Sequence, residues 1–109
     1  MMVNVYYLST LASRDETWDA SHGKLMPAKL YSLASVINWL PPCFAPDDWR
    51  TSLCETIYNR LQAVDAPIKN HNGYTIRSMC PGDYLVIEGE LGVYVCDRIG
   101  FRHEPVGPS

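Results

Sequence analysis

Hydrophobic and polar positions change rhythm several times along the chain. Val3, Val5 and Tyr7 occupy one parity of residues 2–8, and Tyr6 and Leu8 the other. That β-type composition, apolar on both faces, predicts a strand covered on both sides. Residues 9–26 carry Arg14, Asp15, Glu16, Asp19, Ser21, His22 and Gly23 without a helical or alternating period, and read as a long loop. Such a loop is uncommon in a small domain, and tends to be functional or to contain structure of its own.

Pro27 suits the first turn of a helix, where a missing N–H removes no hydrogen bond. From there Leu30, Leu33, Ile37 and Leu40 recur at spacings of three and four, with Lys29, Ser32, Ser35 and Asn38 off the stripe. The spacing predicts a helix stopped by Pro41 and Pro42. A second helix is expected from about Pro46, with Asp47 and Asp48 at the positive end of its dipole. Its stripe is Trp49, Leu53, Ile57 and Leu61, widened by Cys54, Tyr58 and Val64, while Arg50, Glu55, Asn59 and Gln62 face elsewhere. Pro67 and the Asn70-His71-Asn72-Gly73 cluster break the chain.

The last third reads as β-structure. Residues 74–78 alternate, Pro81-Gly82 makes a turn, Tyr84–Ile87 and Val93–Cys96 flank a loop with two glycines, and Ile99 and Phe101 begin a final short strand. The order β-α-α-β-β-β-β predicts an α+β domain over residues 1–103, with two helices on a small antiparallel or mixed sheet. Residues 104–109, with two prolines and a glycine, are expected to form a flexible tail.

A length of 109 residues allows one domain, and a net charge of −3 opposes non-specific nucleic-acid binding, which needs an excess of Lys and Arg. No basic leader and no run of about 18 apolar residues is present, so a cytoplasmic protein without membrane contact is expected. Cys43, Cys54, Cys80 and Cys96 lack the close pairing of zinc knuckles, and His22, His71 and His103 lack metal-ligand spacing. No metal and no cofactor is expected. Cys54 in a helical pattern and Cys96 in an apolar strand pattern look like buried free thiols.

A Cys-dependent enzyme would draw on Cys80, with His71 or His103 as base and Asp83 or Asp97 as orienting group. Nothing in the spacing joins these residues, and phosphate-binding glycine motifs are absent. Pro81, Gly82 and Asp83, like Asp97 and Gly100, suit turns without any appeal to activity. A single-stranded nucleic-acid module would use Tyr6, Tyr7, Tyr74, Tyr84 and Tyr94 for stacking and Arg50, Arg60, Arg77, Arg98 and Arg102 for phosphates, but acids are interspersed with those arginines.

The remaining class is protein interaction, for which three tryptophans and seven tyrosines supply anchors. Trp39 and Trp49 belong with the core. Trp18, within Asp15-Glu16-Thr17-Trp18-Asp19, has no apolar stripe to join; it either docks on a partner or folds back over the sheet. The carboxylates of Asp15, Glu16, Asp19, Glu88 and Glu90 would then oppose Lys and Arg on the target. Late strands with a free edge would also permit a homodimer.

Between Leu53 and His103, several short motifs occur in order: Ile57-Tyr58-Asn59-Arg60-Leu61, then Arg77-Ser78-Met79-Cys80-Pro81-Gly82-Asp83, then Tyr84-Leu85-Val86-Ile87-Glu88, and Tyr94-Val95-Cys96-Asp97-Arg98-Ile99-Gly100-Phe101. This half of the chain resembles the YodL-like domain found in polyvalent and accessory proteins of phages, plasmids and conjugative elements. Cys80 and Arg98 stand where the family pattern has serines. The resemblance implies a mobile-element accessory protein without an established catalytic mechanism. In that setting the expected partner is a host protein or defence complex, inhibited as anti-CRISPR and anti-restriction proteins do by covering a nucleic-acid-binding surface.

Overall fold

The computed structural model describes residues 1–40 and 47–109. Among the described residues the chain forms β1 (Met2–Leu8), α1 (Arg14–Ser21), β2 (Tyr31–Asn38), α2 (Trp49–Arg60), β3 (Ile68–Lys69), β4 (Thr75–Ile76), β5 (Tyr84–Ile87), β6 (Val93–Cys96) and β7 (Phe101–Glu104). One sheet has the order β2-β1-β5-β6-β7 with every neighbouring pair antiparallel, and β3 and β4 make a separate hairpin. The α+β class with two helices on an antiparallel sheet is as expected. The identity of the first helix is not.

Residues 27–40 form a short 3-10 turn at Ala28–Leu30 and then strand β2, in place of the expected helix. The leucines that suggested the helix do not share a buried face, since Leu33 is exposed and Leu40 is 78% exposed. Ser35, Ile37 and Trp39 are buried at a spacing of two, and Ala34 is buried beside them. Pairing runs Val5↔Ser35 and then Tyr6↔Leu33, so Ala34 is an inserted residue. That bulge switches the parity of the strand, so Ile37 pairs with Val3 on the core face and Leu33 with Tyr6 on the opposite one; the spacing of three and four marks no shared face. The expected stop at Pro41 and Pro42, the start near Pro46, and Cys43 lie outside the described residues.

The helix that completes the pair lies in the segment read as a loop. Ser13 and Glu16 form a reciprocal capping box: the Ser13 hydroxyl accepts the Glu16 N–H at 3.1 Å, and the Glu16 carboxylate accepts the Ser13 N–H at 2.9 Å. This satisfies N–H groups that the first turn leaves unpaired. Only Ala20 of α1 is buried, so no apolar stripe announces the helix.

Alternation along β1 divides the core. Val3, Val5 and Tyr7 join Leu85, Ile87, Tyr94 and Cys96 beneath Leu53, Cys54, Ile57 and Leu61 at α2. Fully burying each leucine or isoleucine contributes about 1.5–3 kcal/mol. Tyr84, Val93 and Val95 form the smaller cluster on the opposite face, with Tyr6, Leu25 and Tyr31 packed on it. Trp39 is buried as expected and lies 6.2 Å from the half-buried Trp49 ring, whereas Val64 falls beyond α2 and is exposed. The strand expected over residues 74–78 is limited to Thr75–Ile76, paired with a β3 too short to show a period. Ile99 sits exposed in the turn before β7 and not in the strand.

Candidate functional site

The turn Arg77-Ser78-Met79-Cys80-Pro81-Gly82-Asp83 carries the densest polar arrangement. Asp83 closes it by donating its N–H to the Cys80 carbonyl at 3.1 Å. Gly82 has φ +95°, and a Cβ there would stand 2.6 Å from the Ala20 Cβ. Only glycine therefore lets the turn lie against the end of α1. The Asp83 side chain is 1% exposed. Its Oδ1 accepts the Leu8 N–H at 2.8 Å and Arg77 Nη2 at 2.9 Å; its Oδ2 accepts the Cys80 N–H at 2.8 Å and Arg77 Nη1 at 2.7 Å. Arg77 also donates to the Leu8 carbonyl at 3.2 Å and the Ser78 carbonyl at 3.0 Å, and lies 4.2 Å above the Tyr7 ring.

Four donors on Asp83 satisfy a buried charge that would otherwise be costly. The pair also grips both polar groups of Leu8 and fixes the end of β1. Hydrogen bonding to Asp83, opposed in part by burial, holds the Arg77 guanidinium above its ordinary pKa. Burial, reinforced by the Asp83 charge, drives the Tyr7 hydroxyl far above the usual tyrosine range. The turn reading of Asp83 therefore holds; Arg77, its principal partner, figured in the sequence as a possible phosphate contact and as the first residue of the same motif, not as a partner of Asp83.

The residues considered for catalysis do not converge. His71 Nδ1 accepts the Val36 N–H at 3.1 Å, and His103 Nε2 donates to the Leu91 carbonyl at 2.8 Å; neither is hydrogen-bonded to Cys80. Cys80 is exposed with its thiol toward the Ser78 carbonyl at 3.5 Å. Asp97 is held by the Arg98 N–H at 2.7 Å and by Arg102 at 3.3 Å. Cys54 and Cys96 are buried free thiols, as expected, each pushed up to about 12 chiefly by desolvation. Among the described residues, no three His, Cys, Asp or Glu side chains could hold a metal ion. No described helix is long and apolar enough to cross a membrane.

Helix α1 displays Asp15, Glu16, Trp18 and Asp19. Glu16 is committed to its cap, and hydrogen bonds from Ser13 hold its carboxyl below the usual range. Asp19 lies 3.7 Å from Lys24. Trp18 is 62% exposed, and its ring stacks on His22 at a centroid distance of 3.9 Å. His22 Nδ1 donates to the Trp18 carbonyl at 2.8 Å and Nε2 accepts from Arg98 Nη2 at 2.8 Å. A carbonyl only accepts and a guanidinium only donates, so these partners require the neutral Nδ1–H tautomer. The result is a Trp18–His22 stack at the surface, with Arg98 hydrogen-bonded to the imidazole.

Glu88 and Glu90 lie elsewhere. Glu88 accepts the Met2 N–H at 3.3 Å, at the start of β1, whereas α1 follows the end of that strand. Six steps along a strand cover about 20 Å. The two acidic clusters therefore occupy opposite ends of the sheet and do not form one surface.

A feature the sequence reading missed is a cleft of about 520 Å³ between α2 and β6–β7, lined by residues including Arg50, Glu55, Glu90, Tyr94, Phe101 and His103. It shares Glu55, Gly100 and Phe101 with an adjoining hollow of about 250 Å³. Arg50 pairs with Glu90 and lies 4.5 Å over the Trp49 ring. The hydrogen bond to Glu90 raises the Arg50 pKa, and burial raises that of Tyr94. These residues come from a helix, a hairpin and two strands, so no linear motif joins them; Arg50, Glu90, Tyr94 and His103 each stood out in the sequence, but for separate readings. The tyrosine platforms expected for nucleic acid are largely withdrawn: Tyr7, Tyr84 and Tyr94 are buried, and Tyr6 stacks on Tyr84 at 4.9 Å. Compared with models of protein families, with curated proteins and with solved structures, the chain matches none.

Proposed function

We propose that the protein is a non-enzymatic protein-binding module that uses Trp18 as its anchor. The observation that carries this reading is the exposed Trp18 ring, stacked on His22, which is in turn hydrogen-bonded by Arg98. An ordered aromatic loses little conformational freedom on docking, and Trp, Tyr and Arg dominate binding energy at protein interfaces. Asp15 lies three residues before Trp18, on the same helix face, and Asp19 follows it beside Lys24; this acidic setting favours a partner in which Lys or Arg borders an apolar pocket. With Glu88 and Glu90 at the other end of the sheet, the acidic face is reduced to α1. The narrower form is inhibition of a host defence complex by a mobile-element protein, and it rests on the resemblance of residues 53–103.

The test is capture from host lysate by the protein and by Trp18→Ala, with thermal melts of both. Loss of a specific captured protein in the variant, at an unchanged melting temperature, is the expected result. Equal capture by both would remove Trp18 as anchor, and a salt-sensitive shift of single-stranded nucleic acid without any captured protein would favour the nucleic-acid reading.

A further inference from the structure

The two edges of the sheet are treated differently. On β2, Asn70 Nδ2 donates to the Ala34 carbonyl at 3.0 Å and His71 Nδ1 accepts the Val36 N–H at 3.1 Å, so side chains from the β3–β4 turn occupy that edge. On the far side, both polar main-chain groups of Cys96 face β5: its N–H donates to the Asp83 carbonyl at 2.8 Å and its carbonyl accepts the Gly82 N–H at 2.9 Å. Main-chain direction alternates along a strand. Val93 and Val95 therefore face β7, where they pair with Glu104 and Arg102. The main-chain groups of Phe101 and His103 consequently point outward, and they make no hydrogen bond to other described residues. Beside this open edge lies the 520 Å³ cleft.

We infer that the β7 edge and this cleft receive an extended segment of another protein, carrying a lysine or arginine side chain. The segment adds as a sixth strand through Phe101 and His103, a mode in which main-chain bonds supply affinity and a pocket for an alternate side chain supplies specificity. Charge selects the occupant: the cleft holds two carboxylates, Glu55 and Glu90, against one guanidinium, Arg50, which already lies on Glu90 and Trp49. A cationic side chain neutralises the remaining carboxylate, and an acidic one is repelled. This surface is separate from α1 and stands whether or not Trp18 has a partner.

The test is an NMR titration with capped six-residue peptides of alternating valine and threonine, one with a central lysine and one with glutamate. Saturable shifts at Phe101, His103 and the cleft residues are expected for the lysine peptide, with binding about ten-fold weaker for the glutamate peptide. His103→Pro removes an outward N–H and should abolish binding; Glu55→Lys, at an exposed helix position, should weaken it about ten-fold while leaving the melt unchanged. Equal affinity for both peptides, shifts confined to other surfaces, or no saturation at millimolar peptide would overturn the inference. So would a dimer that buries the Phe101 and His103 amides, which would assign the edge to a second copy of the chain.

Discussion

Two arginine–carboxylate pairs in this molecule share an outline and differ in their use. Arg77–Asp83 and Arg50–Glu90 each set a guanidinium over an aromatic ring, Tyr7 in one case and Trp49 in the other. Asp83 is buried and collects two main-chain N–H groups besides its arginine, whereas Glu90 is 20% exposed and beside a cleft. The first pair joins β1 to the turn before β5; the second joins a helix to a hairpin at the surface. Chemically similar partners thus serve different ends, and what separates them is the number of main-chain groups that depend on the carboxylate.

The strongest challenge to this contrast is Asp83→Asn. The amide cannot accept from Leu8, Cys80 and Arg77 together, and it leaves the guanidinium partly unpaired, so a loss of about 3–5 kcal/mol in urea unfolding is expected. A loss below about 1 kcal/mol would make the pair incidental.

Alkaline unfolding gives an intermediate effect per pH unit and separates desolvation from pairing. Cys96 lies by the Asp83 turn and Cys54 lines the cleft, yet both thiols are held at about 12. Below pH 9 both are protonated in folded and unfolded chains, and their contribution is complete. Between pH 9 and 12 the unfolded chain releases these protons and the folded one retains them. Stability therefore falls as pH rises, by at most about 1.4 kcal/mol per pH unit for each thiol. Tyr84, raised to about 12, adds to the slope above pH 10. Replacing either cysteine with alanine should flatten the slope by a similar amount, since burial acts alike at both sites; a flattening confined to one would show otherwise.

The smallest expected effect is that of Glu90→Gln. Its unfolding midpoint should stay within experimental scatter, as for most exposed ion pairs. A clear drop would place Glu90 with Asp83 as a determinant of the fold.

The sequence disclosed regular, uninterrupted elements and concealed those in which tertiary structure breaks a local rhythm. Leu53, Ile57 and Leu61 mark α2 because an amphipathic stripe has one period throughout. In β2 the leucine spacing of three and four was coincidental, because the bulge at Ala34 puts Leu33 and Ile37 on opposite faces and Leu30 and Leu40 lie outside the strand. At α1 the capping signature Ser13-Arg14-Asp15-Glu16 was present, but a search led by apolar periodicity passes over a helix that buries only Ala20. Of the candidate interaction residues, Trp18 was legible as an aromatic without a stripe to join. The placing of Glu88 and Glu90 far from α1 was not, because strand order sets that distance and spacing in the chain does not report it. The cleft was hidden for the same reason.

The central claim, that one pair builds the fold and the other serves the surface, is tested most directly by double-mutant cycles in urea at the two pairs. Arg77→Ala with Asp83→Ala should show a coupling of about 2–3 kcal/mol. Arg50→Ala with Glu90→Ala should show none that can be resolved. Equal couplings at the two pairs would contradict the account.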